Sequence, residues 1–484
     1  MPVRPAAPRL AHAKATQQRA ALWLGLYLAV ATLPLFSLLP ATRDVADGGA
    51  AGAGFAWDFA MALGYAGAAM LGVQFALTAR FKRATAPFGI DIVYYLHRYL
   101  ALAALLIVLA HVLLVYATVP AMAGSVDPRR APLHMSAGRM ALLAFVLLVA
   151  LSLARKAVRL PYEGWRMSHA ALATLGFALA LAHLLGAGRY LDQPWKQALW
   201  LGYGGFWLAL IVFVRLGRPW QLAHLPWHVQ AVRAERGRVT TLVLEPPPGH
   251  RLDFAPGQFV WLSLAHSPWR MQEHPFSIAS SPLAGPQIEL SIKALGDFTA
   301  TLGGVPPGTR AWVDGPYGNF SIDEHSTAAG YVFIAGGIGI APILSMLRTL
   351  ALRGDDRPLL LIYGNRVWER VAFREELDAL QGRLHLAIVH VLQEPPAAAP
   401  QWPGAQWAAE QRAGEQWAGN RCAIEIGLVG TTLLDAQLPR EQHVRAAHAY
   451  FLCGPTPMTH AVEHSLAQLG VPAAHVHSEI FDWV

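Results

Sequence analysis

The chain has 484 residues, 54% of them hydrophobic and only 14% charged, and a mean hydropathy of +0.33, values that exclude an ordinary soluble protein of this size. Its formal net charge is +7, but the basic residues form no dense patch interleaved with aromatics, so no nucleic-acid partner is expected. The two cysteines, Cys422 and Cys453, form no C-x-x-C metal site, C-x-x-C-H attachment motif or disulfide framework, which fits a reducing, cytoplasmic C-terminal half.

Taken in chain order, six apolar segments predict membrane-spanning helices at 21–40, 56–78, 92–117, 138–154, 165–187 and 197–216, each near the ~20 residues a bilayer requires. Basic residues precede the first span (Arg4, Arg9, Lys14, Arg19) and follow the second (Arg80, Lys82, Arg83) and the fourth (Arg155, Lys156, Arg159), and Arg215 and Arg218 end the sixth. By the positive-inside rule both ends of the chain are cytoplasmic, although the opposite loops keep Arg43, Arg129, Arg130, Arg189 and Lys196. The first span is longer than a signal-peptide core and no small-residue cleavage site follows it, so it is read as a true span. The expectation is a multi-pass protein of a plasma or inner membrane.

The third span carries His97 and His111 and the fifth carries His169 and His183, each pair fourteen positions apart. Fourteen residues return a helix to within about 40° of its starting face and advance it about 21 Å. Both spans run outward in this topology, so His97 is level with His169, and His111 with His183. Two stacked bis-imidazole sites result, as two b-type haems need in a helical bundle. Arg98, Arg139 and Arg166 lie near span ends, where they can pair with haem propionates, though topology explains Arg98 and Arg166 equally well. Phe177 falls about midway between His169 and His183; ordinary packing is the plainer reading, and a place between the haems the sharper one. His134, Arg139 and Arg189 are the polar residues nearest the outer pocket, or simply loop residues.

After Arg218 the pattern changes. Residues 226–322 alternate β-rich runs (RVTTLVLE, QFVWLSLA, QIELSIKA) with Gly/Pro turns, as a small antiparallel barrel does. From 330 the buried-strand runs YVFIAGG, PLLLIYG, LHLAIVHVL and HAYFLCG alternate with helical stretches, as in a parallel α/β sheet. The Ala/Pro/Gly/Trp-rich stretch 393–420 is read as a surface excursion with no assigned chemistry. The expected organisation is a multi-domain chain: a six-helix membrane bundle over 1–219, an antiparallel barrel over 220–326 and a parallel-sheet α/β domain over 327–484.

Six motifs in this half carry chemistry. MQEHPFSIASSP (271–282) can offer the Ser277 hydroxyl to a flavin ring edge, with His274 near polar or phosphate atoms. Gly296 ends a strand, and Asp297, Phe298 and Thr299 begin a helical run whose N-terminus favours a pyrophosphate. YVFIAGGIGIAPILSML (331–347) is strand, glycine turn and helix, the context that holds a dinucleotide phosphate. Arg366, in LIYGNR, can hold an adenosine 2′-phosphate, with a solvated surface charge as the plain alternative. YFLCGPTPM (450–458) ends a later strand, and HSEIFDWV closes the chain with Glu479, Phe481 and Trp483, aromatic residues that can cover a flavin face or merely pack at an edge.

The order His-Pro-Phe-Ser, Gly-Asp-Phe-Thr, Gly-Gly-x-Gly-x-x-Pro, Cys-Gly-Pro and Glu-x-Phe resembles the ferredoxin–NADP reductase-type flavoprotein module. Behind six spans with paired histidines it is similar to the NADPH oxidase and ferric reductase family of transmembrane flavocytochromes, over nearly the whole chain. The resemblance implies that His97 and His169 ligate an inner haem b and His111 and His183 an outer one. It implies that His274, Pro275, Phe276 and Ser277 bind FAD, with Ser277 at the ring, and that Gly296 to Thr299 face its phosphates. Gly336, Gly337, Gly339 and Pro342 correspond to the nucleotide loop, and Cys453, Gly454 and Pro455 to the segment beside the nicotinamide. Glu479 and Phe481 match the C-terminal acid and flavin-stacking aromatic, but Asp482, Trp483 and Val484 follow, so Phe481 and Trp483 compete for that place. Ser277, Cys453, Glu479 and Phe481 are thereby the implied catalytic set. No calcium-binding or other regulatory domain is expected before the first span. The implied activity carries electrons from NADPH, with NADH as the alternative, through FAD and two haems to O₂. A ferric chelate or a periplasmic acceptor protein is the alternative acceptor, and a haem-binding membrane protein with an inactive reductase is the non-enzyme reading.

Overall fold

A computed structural model describes residues 21–38, 54–80, 90–127, 129–265, 267–270, 272–396 and 422–480. The chain divides into two compact units, Met1–Trp220 and Gln221–Val484. The stretch 397–421, and with it most of the predicted excursion, lies outside the described residues, as do Phe481 and Trp483.

The first unit consists of α1 (Ala21–Leu38), α2 (Gly54–Thr78), α3 (Ile90–Thr118), α4 (Leu133–Ala154), α5 (Tyr162–Ala187) and α6 (Pro194–Val212). All six are long and apolar enough to cross a membrane. Lipid is as apolar as leucine, so helices here associate by close packing at small residues. A Cβ on Gly67 of α2 would lie 2.6 Å from Val108 Cγ2 of α3, and one on Gly176 of α5 would lie 2.9 Å from Phe145 Cε1 of α4. Gly72 makes room for Trp207 of α6 in the same way. The core is aromatic, with Tyr65, Phe145, Phe177, Trp200, Tyr203 and Trp207 buried together. Tyr203 satisfies its hydroxyl by donating to the Ala69 carbonyl at 2.7 Å, as a polar atom away from water must. Helices α4 and α5 start three to five residues earlier than hydropathy predicts. Their first turns hold His134, Glu163 and Arg166, which break the apolar run, while Pro132 and Pro161 at the caps set the helical start.

The second unit holds two six-stranded sheets. In the first, β1 (Trp227–Glu235), β2 (Val239–Glu245), β3 (Phe259–Leu264), β4 (His274–Ser277), β5 (Ile288–Lys293) and β6 (Arg310–Tyr317) run antiparallel in the order β4-β3-β6-β1-β2-β5. An Ile278–Leu290 bridge joins the two edges and curls the sheet closed. Leu242, Leu244, Val260, Leu262, Leu290 and Leu302 fill its interior. The second sheet is parallel, with β7 (Tyr331–Gly336), β8 (Leu359–Asn365), β9 (Leu386–Leu392), β10 (Cys422–Ile426), β11 (Ala449–Gly454) and β12 (Val476–Ile480) in the order β10-β9-β8-β7-β11-β12. The chain winds outward from β7 to β10 and then returns to β11 on the other side of β7. That reversal between β7 and β11 is a topological switch point, where such sheets bind ligands at their carboxyl ends.

Candidate functional site

At the switch point two sequence motifs pack against each other. Ala335 is in register with Cys453, and Cys453 with Glu479 on β12. A Cβ on Gly339 would stand 2.0 Å from the Cys453 carbonyl oxygen, and one on Gly336 would stand 2.8 Å from Pro455 Cδ. Only glycine permits this approach, and Gly337 also takes a left-handed φ of 54°. The turn leads into α7 (Ile340–Arg353), with Pro342 buried in its first turn. Arg366, past the end of β8, donates from Nε to Glu394 Oε1 at 2.7 Å, and both side chains are exposed. An exposed pair of this kind is weak and can be exchanged for a ligand. The Cys453 thiol is fully buried; burial, and then the Glu479 carboxylate, push its pKa well above the usual thiol value. It remains a neutral packing group rather than a nucleophile.

The flavin motif forms β4, in register with β3 so that Ser277 faces Phe259 and His274 faces Leu262. Ser277 Oγ is buried without a protein hydrogen-bond partner, so this strand offers one free hydroxyl to a ligand. The His274 ring stacks on Phe298 with centroids 4.1 Å apart. In the Gly296 turn, Thr299 Oγ1 accepts from the backbone N–H groups of Leu295 and Gly296, both at 2.9 Å. Nothing occupies the space a Gly296 side chain would fill. Glu479 Oε1 lies 3.8 Å from the Cβ position of Gly318, where Phe259 also packs. Ser277 and Glu479 are therefore brought to one neighbourhood through Phe259, from opposite ends of the unit's sequence.

In the first unit the His97 and His169 rings face each other with centroids 6.3 Å apart. Two imidazoles sharing one metal through nitrogen bonds of about 2 Å have ring centres roughly 6 Å apart. Ser152 donates its one proton to the Leu148 carbonyl at 2.8 Å and accepts from Trp165 Nε1 at 3.2 Å. Its contact with His169 Nδ1 at 3.1 Å therefore requires His169 to donate, which leaves Nε2 as the lone-pair nitrogen. On the other level, His111 Nδ1 donates to the Ala60 carbonyl at 2.7 Å and His183 Nδ1 to the His134 carbonyl at 2.8 Å. A Cβ at Gly64 or Gly138 would stand 2.9 or 2.7 Å from those Nδ1 atoms. Each imidazole is held in a glycine notch, oriented and with Nε2 available, so these residues fit axial ligation of haem iron. His134 adds a third imidazole here, its ring centroid 6.4 Å from that of His183. Phe177 is buried edge-on to Phe75, and Arg139 donates to the Ser125 carbonyl at 2.7 Å.

Residues 63–185 match the ferric reductase like transmembrane component, 227–321 an FAD-binding domain and 333–464 an oxidoreductase NAD-binding domain. The chain thus joins a ferric reductase-like transmembrane domain to an FAD- and NAD-binding reductase module. Six helices long and apolar enough to cross a membrane precede the two nucleotide-binding domains. Among curated proteins it is 31% identical over 258 residues to the reductase component of propane 2-monooxygenase from Mycolicibacterium goodii, covering 52% of this chain and 66% of the relative. It is 27% identical to a flavohemoprotein of Bordetella pertussis, over 51% of this chain and 58% of that one. The chain thus spans about two thirds of the length of the first and less of the second. The FAD/NAD-binding domain of a Vibrio cholerae nitric oxide dioxygenase is similar with 20% identity and a TM-score of 0.42, covering 53% of this chain and 98% of that one.

Sequence reasoning missed the residues that orient the imidazoles. Ser152, Gly64, Gly138 and the Ala60 carbonyl carry no motif; the matched pattern of a carbonyl at one position and a glycine four later, at 60/64 and 134/138, is the signal that could have found the last three. Lys293 was also missed. Its Nζ lies 3.5 Å from the Cβ position of Gly337, with Arg370 and Arg238 close enough to depress its pKa after burial has done so. Lys293 thus stands beside the nucleotide loop, with two arginines from other segments acting on its charge.

Proposed function

We propose that this chain carries electrons from cytoplasmic NADPH through FAD and two b-type haems to an acceptor on the far side of the membrane, with O₂ reduced to superoxide. The observation that carries the proposal is the facing His97–His169 pair, centroids 6.3 Å apart, in a six-span unit joined to FAD- and NAD-binding domains. FAD, when bound, supplies the conversion of a two-electron hydride into single electrons. The protein's part is placement. Gly336, Gly337, Gly339 and Lys293 receive the nucleotide phosphates, and Cys453 to Pro455 flank the nicotinamide. Arg366 exchanges Glu394 for the 2′-phosphate, which favours NADPH over NADH. Ser277 donates to the flavin ring edge, Gly296 to Thr299 receive its phosphates, and Phe481 or Trp483 covers its face. His97 and His169 hold the inner haem; His111 and His183 hold the outer one. A haem held there would supply single electrons to O₂, and His134, whose ring centroid is 6.4 Å from that of His183, would stand beside it. The positive-inside pattern supports a cytoplasmic N-terminus and reductase unit.

Right-side-out vesicles loaded with NADPH and assayed in air test this reading. External cytochrome c reduction that superoxide dismutase abolishes is the expected result. Haem reduction with no dismutase-sensitive signal would overturn O₂ as the acceptor and send the assay to ferric chelates and then to protein acceptors. Absence of haem from the purified protein would overturn the electron path itself.

A further inference from the structure

Three of the four histidines have a hydrogen-bond partner for Nδ1; His97 does not, although that atom is buried. Helix α2 carries a matching defect. Gln74 is only 7% exposed, and neither its Oε1 nor its Nε2 has a partner. A buried carboxamide in a membrane helix is costly and marks function by default.

Helix register relates the two. The side of α2 that faces α3 is the seven-residue stripe Ala60, Gly64, Gly67, Leu71, Gln74, along which Ala60 and Gly64 meet His111 and Gly67 meets Val108. The helices are antiparallel. Fourteen residues beyond Ala60 is Gln74, and fourteen before His111 is His97. Gln74 therefore stands to His97 as Ala60 stands to His111. The backbone solution used at Ala60 is closed here: no glycine lies four residues on, and the residue there, Thr78, turns its hydroxyl toward the Gln74 carbonyl at 3.3 Å. The α4–α5 hairpin shows the alternative. There Leu148 and Ser152 occupy the places of Gln74 and Thr78, and the Ser152 hydroxyl serves His169. Thr78, unlike Ser152, is exposed, so among the described residues of α2 the buried polar group left for His97 is the Gln74 side chain.

We infer that Gln74 is the positioning residue of His97: its carboxamide oxygen accepts the Nδ1–H of His97 and so turns Nε2 toward the iron of the inner haem. The inference rests on the bis-histidine haem reading proposed above. Such a partner raises the ligand's basicity, and its loss typically changes metal affinity 10–100-fold. A more basic imidazole favours ferric iron, so removing the bond favours the reduced haem.

The test uses the purified full chain, with haem counted by pyridine haemochrome, each haem titrated redox-optically, and the low-spin haem signals recorded by electron paramagnetic resonance. The signal lost in His97→Leu identifies the inner haem. Gln74→Met, close in volume and unable to accept strongly, should shift the reduced-to-oxidised ratio of that haem about tenfold toward reduced at fixed potential, equivalent to ~59 mV, and alter its low-spin signal alone. Gln74→Glu, which keeps an oxygen acceptor, should hold the ratio at or to the oxidised side of wild type and serves as the second variant should Gln74→Met accumulate poorly. An unchanged inner haem in Gln74→Met, or the same shift in Thr78→Val instead, overturns the assignment while leaving the haem reading intact. A wild-type protein without haem overturns both, and the haem count separates the two failures.

Discussion

Lys293 is a side chain whose role depends on neighbours far away in sequence. Burial first, then Arg370 and Arg238, lower its pKa, because each makes a further positive charge harder to hold. A nucleotide phosphate beside Gly337 would relieve that repulsion, so the cation is most useful when ligand arrives. The sign follows: as pH rises, Lys293 loses its charge earlier than an ordinary lysine, and affinity for NADPH falls. The KM for NADPH should rise on the alkaline side of neutrality in the wild type. Lys293→Met should raise KM about tenfold at neutral pH, the loss of a charge-assisted hydrogen bond of roughly 1.5 kcal/mol, and should flatten the alkaline limb. A KM profile with the same limb in both proteins would exclude Lys293 as its source. The four histidines were legible in the sequence because one spacing recurred in two apolar helices. Lys293 was not, because Arg238, Lys293, Gly337 and Arg370 come from four segments that only the fold assembles.

At the scale of elements, polar side chains join the antiparallel sheet to the parallel sheet beside the apolar contact that Val239 of β2 makes with the parallel-sheet core. Ser345 on α7 donates to the Ser280 carbonyl at 2.6 Å, and the Thr349 and Ser281 hydroxyls hydrogen-bond to each other at 2.8 Å. One turn away, Arg348 binds Glu376 through Nε and Nη2 at 2.6 and 2.8 Å and Glu289 through Nη1 at 2.7 Å. Arg348 and Glu289 are only 19% and 17% exposed, so removing the shared guanidinium leaves two partly buried carboxylates facing each other. Arg348→Met should destabilise the unit by about 3 kcal/mol, the usual cost of breaking such a pair from one side. Flavin release on heating would report it, and adding Glu289→Gln and Glu376→Gln should restore most of the loss. Strands β7, β8, β9 and β11 were legible as unbroken apolar runs, buried on both faces. Strand β12 was not: VHSEI is half-buried throughout and has no such run, yet its pairing with β11 is what delivers Glu479 to Cys453. The early starts of α4 and α5 were hidden for the opposite reason, since polar residues in their first turns interrupt a helix that hydropathy alone defines.

At the scale of the whole chain, composition breaks near Arg218 and the compact units divide after Trp220, so each half has its own core and its own chemistry. The first unit offers imidazoles in an apolar bundle; the second offers the nucleotide loop, the free Ser277 hydroxyl and Glu479. If these halves divide the work as proposed, they fail separately. Hydride transfer from NADPH needs nothing from His97, while passage of electrons across the membrane needs both histidine levels. In NADPH-supplied vesicles, His97→Leu and His111→Leu should keep NADPH oxidation by a soluble dye within about twofold of wild type, as expected if the two sites are energetically independent. The same variants should lose haem absorbance and cytochrome c reduction on the far side. His134→Ala should behave differently from both, because His134 serves His183 through its backbone carbonyl, which the substitution retains: the outer haem should stay while reduction of the acceptor slows. Equal loss of dye reduction and transmembrane reduction in His97→Leu would show that the bundle supports the reductase unit rather than receiving its electrons, and would reverse the direction of dependence between the two halves.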